Sequence, residues 1–103
     1  MAFEIRLSDR AVQQYRLLSA RNQRIIEEAI VRHLTQQPTA ESKSVKQLRP
    51  NGCAEYELRI GDYRVLYNVA SNFVRVIAFG EKRGNRLFVE GREFHEHESD
   101  ESQ

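Results

Sequence analysis

Three patterns assign this 103-residue sequence to the α+β class, as an N-terminal strand and a helical hairpin packed on one face of an antiparallel β-meander. Residues 55–88 alternate apolar and polar side chains and are rich in β-branched and aromatic residues, the mark of half-buried strands. Gly61-Asp62 interrupts the alternation as a two-residue hairpin turn with glycine first, supplying the positive φ that side chains resist. Upstream, Ile25, Ile26, Ala29, Ile30 and Leu34 recur with the period of a helix that buries one stripe.

Phe3-Glu4-Ile5-Arg6-Leu7 alternates and reads as the opening strand. Ser8-Asp9 offers a helix N-cap, because a short oxygen-bearing side chain accepts from the free first-turn amides. Ala11, Val12, Tyr15 and Leu18 then space a first helix over residues 9–19, with Arg10, Gln13, Gln14 and Arg16 outward. Asn22 is placed to cap the second helix, which Gln37-Pro38 ends, since a residue before proline is pushed out of the α region. Residues 39–54 read as a polar connector that Val45 and Leu48 anchor. Lys43, Lys46 and Arg49 recur along it, either as a solvated loop or as a basic lip that tracks a phosphate backbone.

The Gly61-Asp62 turn fixes a register: Ile60 faces Tyr63, Arg59 faces Arg64, Leu58 faces Val65 and Tyr56 faces Tyr67. Alternation puts Tyr56, Leu58, Ile60, Tyr63, Val65, Tyr67 and Val69 on the core face, where Tyr63 and Tyr67 pack rather than react. Glu57, Arg59, Arg64, Leu66 and Asn68 take the other face. Arg75, Ile77 and Phe79 join them if Ser71-Asn72 make the next turn. Two arginines directly opposite each other repel unless an anion sits between them. Either Glu57 and solvent neutralise the pair, or the conflict marks a functional site. Residues 86–90 read as a last short strand closed by Gly91.

Length allows one domain, placed at residues 1–92, followed by an acidic tail over residues 93–103 with too little apolar content to fold. The net charge of +1 conceals an asymmetry: residues 43–92 carry 10 basic and 5 acidic side chains, and residues 93–103 carry 5 acidic and none basic. A basic strand-rich half suits a nucleic-acid or phosphate binder. The tail is placed to fold back on that surface and compete with phosphates. Its His95 and His97 read as unpartnered rather than as a proton relay. The single Cys53 excludes an internal disulfide and a cysteine-based zinc site. No apolar run nears the roughly 18–20 residues of a membrane span, and with no signal-peptide pattern the expected location is the cytoplasm, with no membrane partner.

The segments Val45-Lys46-Gln47-Leu48-Arg49, residues 56–67 and Gly80-Glu81-Lys82-Arg83, in this order of elements, resemble the RelE/ParE family of toxins from type II toxin–antitoxin pairs. The resemblance covers residues 3–88 and implies a cognate antitoxin. One branch of the family cleaves messenger RNA on the ribosome, the reading favoured here; the other poisons DNA gyrase without nuclease chemistry, and a degenerate member would only bind its antitoxin. Cleavage needs a deprotonated ribose 2′-hydroxyl, a stabilised phosphorane and a protonated leaving oxygen, with no metal or other cofactor. By resemblance, the arginine that contacts the reacting phosphate is Arg64. The strand lysines fall at Glu57 and Arg59, and the basic residue after the last long strand's glycine falls at Lys82 or Arg83. The family's late tyrosine falls at Phe88. Glu57 thus stands where a lysine is expected, as a tentative base. Phe88 lacks the hydroxyl, leaving it stacking on a base and no proton transfer. The expected catalytic set is Arg64, Glu57, Arg59 and Arg83. Lys43, Lys46, Arg49, Lys82 and Phe88 would hold RNA.

Overall fold

The computed structural model describes residues 2–94; Met1 and residues 95–103, which include most of the acidic tail with His95 and His97, lie outside the described residues. The chain runs β1 (Glu4–Leu7), α1 (Asp9–Arg16), α2 (Ala20–Leu34), β2 (Val45–Gln47), β3 (Tyr56–Ile60), β4 (Tyr63–Val69), β5 (Phe73–Arg83), β6 (Arg86–Val89) and β7 (Arg92–Phe94). All seven strands form one sheet, in the order β2-β3-β4-β5-β6-β7, with β1 added alongside β5. Neighbours on the main path are antiparallel, whereas β1 lies parallel to residues 73–76 of β5. β7 begins at the boundary expected near residue 92 and carries the sheet beyond it. Among the described residues, no helix is long and apolar enough to cross a membrane.

Both helices lie on one face of the sheet. Ala11, Ile26, Ile30 and Leu34 pack on Leu58, Val65, Tyr67, Val74, Val76 and Phe79. Each fully buried aliphatic side chain in this layer contributes about 1.5–3 kcal/mol. Tyr67 stacks on Tyr56 with centroids 5.5 Å apart, and its buried hydroxyl donates to the Pro38 carbonyl at 2.7 Å.

Local signals explain the helix ends, with two corrections. Ser8 caps α1 as expected, accepting from the Ala11 amide. That helix stops at Arg16 rather than residue 19, because Leu17 and Leu18 donate to carbonyls only three residues back and tighten the turn. Ser19, not Asn22, caps α2; Asn22 instead reaches the Tyr63 hydroxyl at 2.9 Å. Ile25, expected in the buried stripe, is 40% exposed. The expected connector contains an edge strand, β2, and buries Val45 and Leu48 as anticipated.

The β3–β4 register is the one the Gly61-Asp62 turn dictates, with Arg59 opposite Arg64 and Gly61 at φ +60°. The β4–β5 register is not uniform. Val69 pairs with Val74 and Asn68 with Arg75, then a bulge follows: Tyr67 pairs with Val76 but Leu66 with Ala78. Ile77 is the extra residue, and every later side chain of β5 changes face. Phe79, expected on the charged face, is therefore in the helix-covered core, opposite Val65. Ala78, Gly80 and Lys82 move to the other face in its place.

That second face is not uniformly open. Leu66, Ala78, Leu87 and Val89 meet Leu48 and Ala54 of the loop after β2 in a smaller apolar cluster. Asn51 holds this loop, accepting from the Cys53 and Ala54 amides and donating to the Arg49 and Ala54 carbonyls. Cys53 is half-buried within it, and burial pushes its thiol up from the ordinary cysteine range, which keeps it protonated and unreactive.

Candidate functional site, a charged row on the open sheet face

Directly paired residues share a sheet face. Lys46 pairs with Glu57, Glu57 with Leu66, Arg59 with Arg64, and Arg64 with Gly80, two residues from Lys82. The fold thus brings Lys46, Glu57, Arg59, Arg64 and Lys82 to one face around the Gly61-Asp62 turn. Lys43 and Arg49 flank β2 and are exposed.

Arg64 is the fixed point of this row. It is only 9% exposed, and its Nη1 donates to the carbonyls of Gly61 at 2.8 Å and Tyr63 at 2.9 Å. Glu57, only 6% exposed, places Oε2 2.9 Å from Arg64 Nε and 3.7 Å from Arg59 Nε. The conflict between the facing arginines is therefore met by a bridging carboxylate from the same face. The shorter contact is an ion pair by distance, yet the Arg64 Nε–H is not aimed along it, and Nε has no directional hydrogen-bond partner. Coulomb attraction acts at that distance whatever the angle, whereas a hydrogen bond does not. Arg59 is 43% exposed at its side chain and offers its charge to solvent.

Gly80 explains why this end of the sheet carries glycine. A Cβ there would lie 2.9 Å from the Phe88 carbonyl oxygen and 3.1–3.2 Å from Leu87 and Val89. The close approach of β6 to Gly80 leaves no room for one.

Arg83 and Phe88 are separated from the row. Tyr63 and Phe88 both pair with Glu81, which places them, and Arg83 with them, on the helix-covered side. There the Arg83 guanidinium lies 4.8 Å from the Phe88 ring centroid, and the two line a cleft of about 190 Å³ with Gln14, Leu18 and Tyr63. Of the two basic residues that sequence placed after Gly80, the bulge selects Lys82 for the Arg64 face. A larger hollow of about 470 Å³ lies over residues 47–55 and Asn68. Its wall is mostly one loop, and it lies away from the paired arginines.

Tyr67 takes no part in proton transfer at this row. Burial first, and the neighbouring Tyr56 second, push its phenol far above the ordinary tyrosine value of 10.0. Gln14 is the residue that sequence reasoning misplaced most. Expected outward, it turns in and donates to the Phe79 carbonyl at 2.9 Å while accepting from the Phe79 amide at 2.7 Å.

The short α+β chain thus carries a helical hairpin on one sheet face and a buried arginine beside a glycine-first hairpin on the other. No family model and no curated protein matches the chain. Among solved structures it is similar to a chain of the archaeal RelE–RelB complex from Pyrococcus horikoshii OT3. The TM-score is 0.64 at 25% identity, covering 82% of this chain and 98% of that one. In fold, the chain is thus similar to a RelE-type toxin over most of both lengths.

Proposed function

We propose that this protein is the toxin of a toxin–antitoxin pair and that it cleaves messenger RNA on the ribosome by acid–base chemistry. The similar archaeal structure is a RelE–RelB complex, which supports a cognate antitoxin as the partner here. The observation that carries the nuclease reading is the buried Arg64, oriented by two backbone carbonyls, on a face it shares with Arg59, Lys46 and Lys82.

In this reading the ribose 2′-hydroxyl loses its proton and its oxygen attacks the adjacent phosphorus. The bond from phosphorus to the 5′-oxygen breaks, and that oxygen takes up a proton. Arg64 faces the phosphorane, where charge develops and a preoriented donor is most effective. Arg59, Lys46 and Lys82 hold the backbone on either side, with Lys43 and Arg49 extending the path along the flanks of β2. Arg83 and Phe88, on the other side, form a stacking surface for a base that passes the sheet edge. Glu57 is the carboxylate within this row, set between Arg64 and Arg59.

A second reading, inhibition of DNA gyrase without nuclease chemistry, is favoured by Phe88, which brings no hydroxyl, and by Glu57 where the family resemblance implies a lysine. Translation-dependent cleavage in a cell-free system separates the two. Arg64→Lys is the informative variant, since it keeps a cation beside Glu57 but removes the guanidinium fork. Cleavage at defined codons that collapses in Arg64→Lys and falls in Arg59→Ala is the expected result. Intact messenger with loss of gyrase supercoiling would establish the second reading instead.

A further inference from the structure

The charged row holds an arrangement that the proposed reaction leaves unexplained. One oxygen, Glu57 Oε2, serves both Arg64 Nε and Arg59 Nε, at 2.9 Å and 3.7 Å, and its carboxylate is almost fully buried. An oxygen held between two guanidinium groups has the charge and acceptor character of a non-bridging phosphate oxygen. The occupant also fits imperfectly, because the buried Arg64 Nε–H finds no directional acceptor. An unmet donor of this kind, facing an anion already in place, is what an external anion approaching at a better angle would satisfy. Lys46 stands directly across the strand pair from Glu57 and offers the displaced carboxylate another cation.

We propose that Glu57 is a built-in stand-in for the RNA phosphodiester. It fills the anion site of Arg64 and Arg59 in the resting protein and is displaced toward Lys46 when RNA binds. This rests on reading the row as the RNA face, and it makes Glu57 an internal competitor rather than the proton acceptor. The carboxylate then sets how tightly the toxin holds RNA, since each phosphate must outcompete it.

Glu57→Gln removes the charge at nearly constant shape. Binding of a short single-stranded 2′-O-methyl RNA, which cannot be cleaved, is measured against salt for the wild-type protein and this variant. The expected result is affinity about tenfold higher, the lower range for a hydrogen bond to a charged group. The salt slope should steepen by about 0.7, as for one added phosphate contact. Unchanged affinity and slope overturn the proposal. So does cleavage abolished in Glu57→Gln with binding unmoved, which would make Glu57 the proton acceptor.

If Glu57→Gln does not fold, the wild-type protein still decides. The Arg64 Nε–H resonance should shift as the same RNA is titrated in, and a resonance that stays fixed while RNA binds overturns the proposal. Tighter binding by Glu57→Gln, together with no cleavage by the wild-type protein in the cell-free system, would defeat the nuclease reading and leave this inference standing.

Discussion

Arg64 and Glu57 are mutually dependent because each is buried and each is the other's counter-ion. Removing one leaves an uncompensated charge away from water, which costs about 3–5 kcal/mol. Arg64→Ala should lose that much in urea denaturation, a large part of the 5–15 kcal/mol typical of a domain. Arg59→Ala, at an exposed site, should lose no more than about 1 kcal/mol. Equal losses would mean that Arg64 is not held as described. Tyr67 gives a second prediction at this scale. Its folded-state ionisation lies above the ordinary value of 10.0, so its contribution is intact below pH 10 and is lost as pH rises beyond it. Tyr67→Phe should be less stable at neutral pH by about 1–3 kcal/mol, since the Pro38 carbonyl loses its buried donor. The same variant should show a weaker alkaline fall in melting temperature.

Strand β5 is the longest strand, and no single partner covers its outer edge. β1 pairs residues 73–76 and β6 pairs residues 81–83. Between them, Ser8 donates to Val76 and Ile77 carbonyls through its amide and hydroxyl, and the Gln14 amide takes both backbone groups of Phe79. One helix side chain thus substitutes for a missing strand residue. Gln14→Ala should speed hydrogen exchange at the Phe79 amide far more than at Val65 on the paired strand, and destabilise by about 1–3 kcal/mol for the unmet groups. Exchange unchanged at Phe79 would show that the amide is protected without Gln14. This element also shows where sequence reading stopped. The β3–β4 hairpin was legible because Gly61 fixes the turn and charged residues mark one face. Val76-Ile77-Ala78-Phe79 is apolar throughout, so it carries no phase, and the bulge at Ile77 rests on tertiary packing. The faces of Phe79, Lys82, Arg83 and Phe88 all followed from that unreadable step. Gln14 was misread for a similar reason, since its partner is 65 residues away.

Across the whole molecule, charge is segregated by region and now by face. Among the basic residues of positions 43–92, Lys46, Arg59, Arg64 and Lys82 form a group on the open face, whereas Arg83 lies on the helix-covered side. A phosphate backbone lying along the open face releases counter-ions from the first group, and from Lys43 and Arg49 at the flanks of β2, but not from Arg83, and each contact adds about 0.7 to the salt slope for a single strand. Lys82→Ala and Arg59→Ala should each lower the slope by about that amount and weaken binding to all sequences alike. Arg83→Ala should leave the slope unchanged, because its guanidinium lies over Phe88 beyond the sheet plane. Should Arg83→Ala lower the slope as much as Lys82→Ala, a phosphate crosses the β5–β6 edge along with the base. Arg83 would then bind the RNA by its charge and not only as a stacking surface with Phe88.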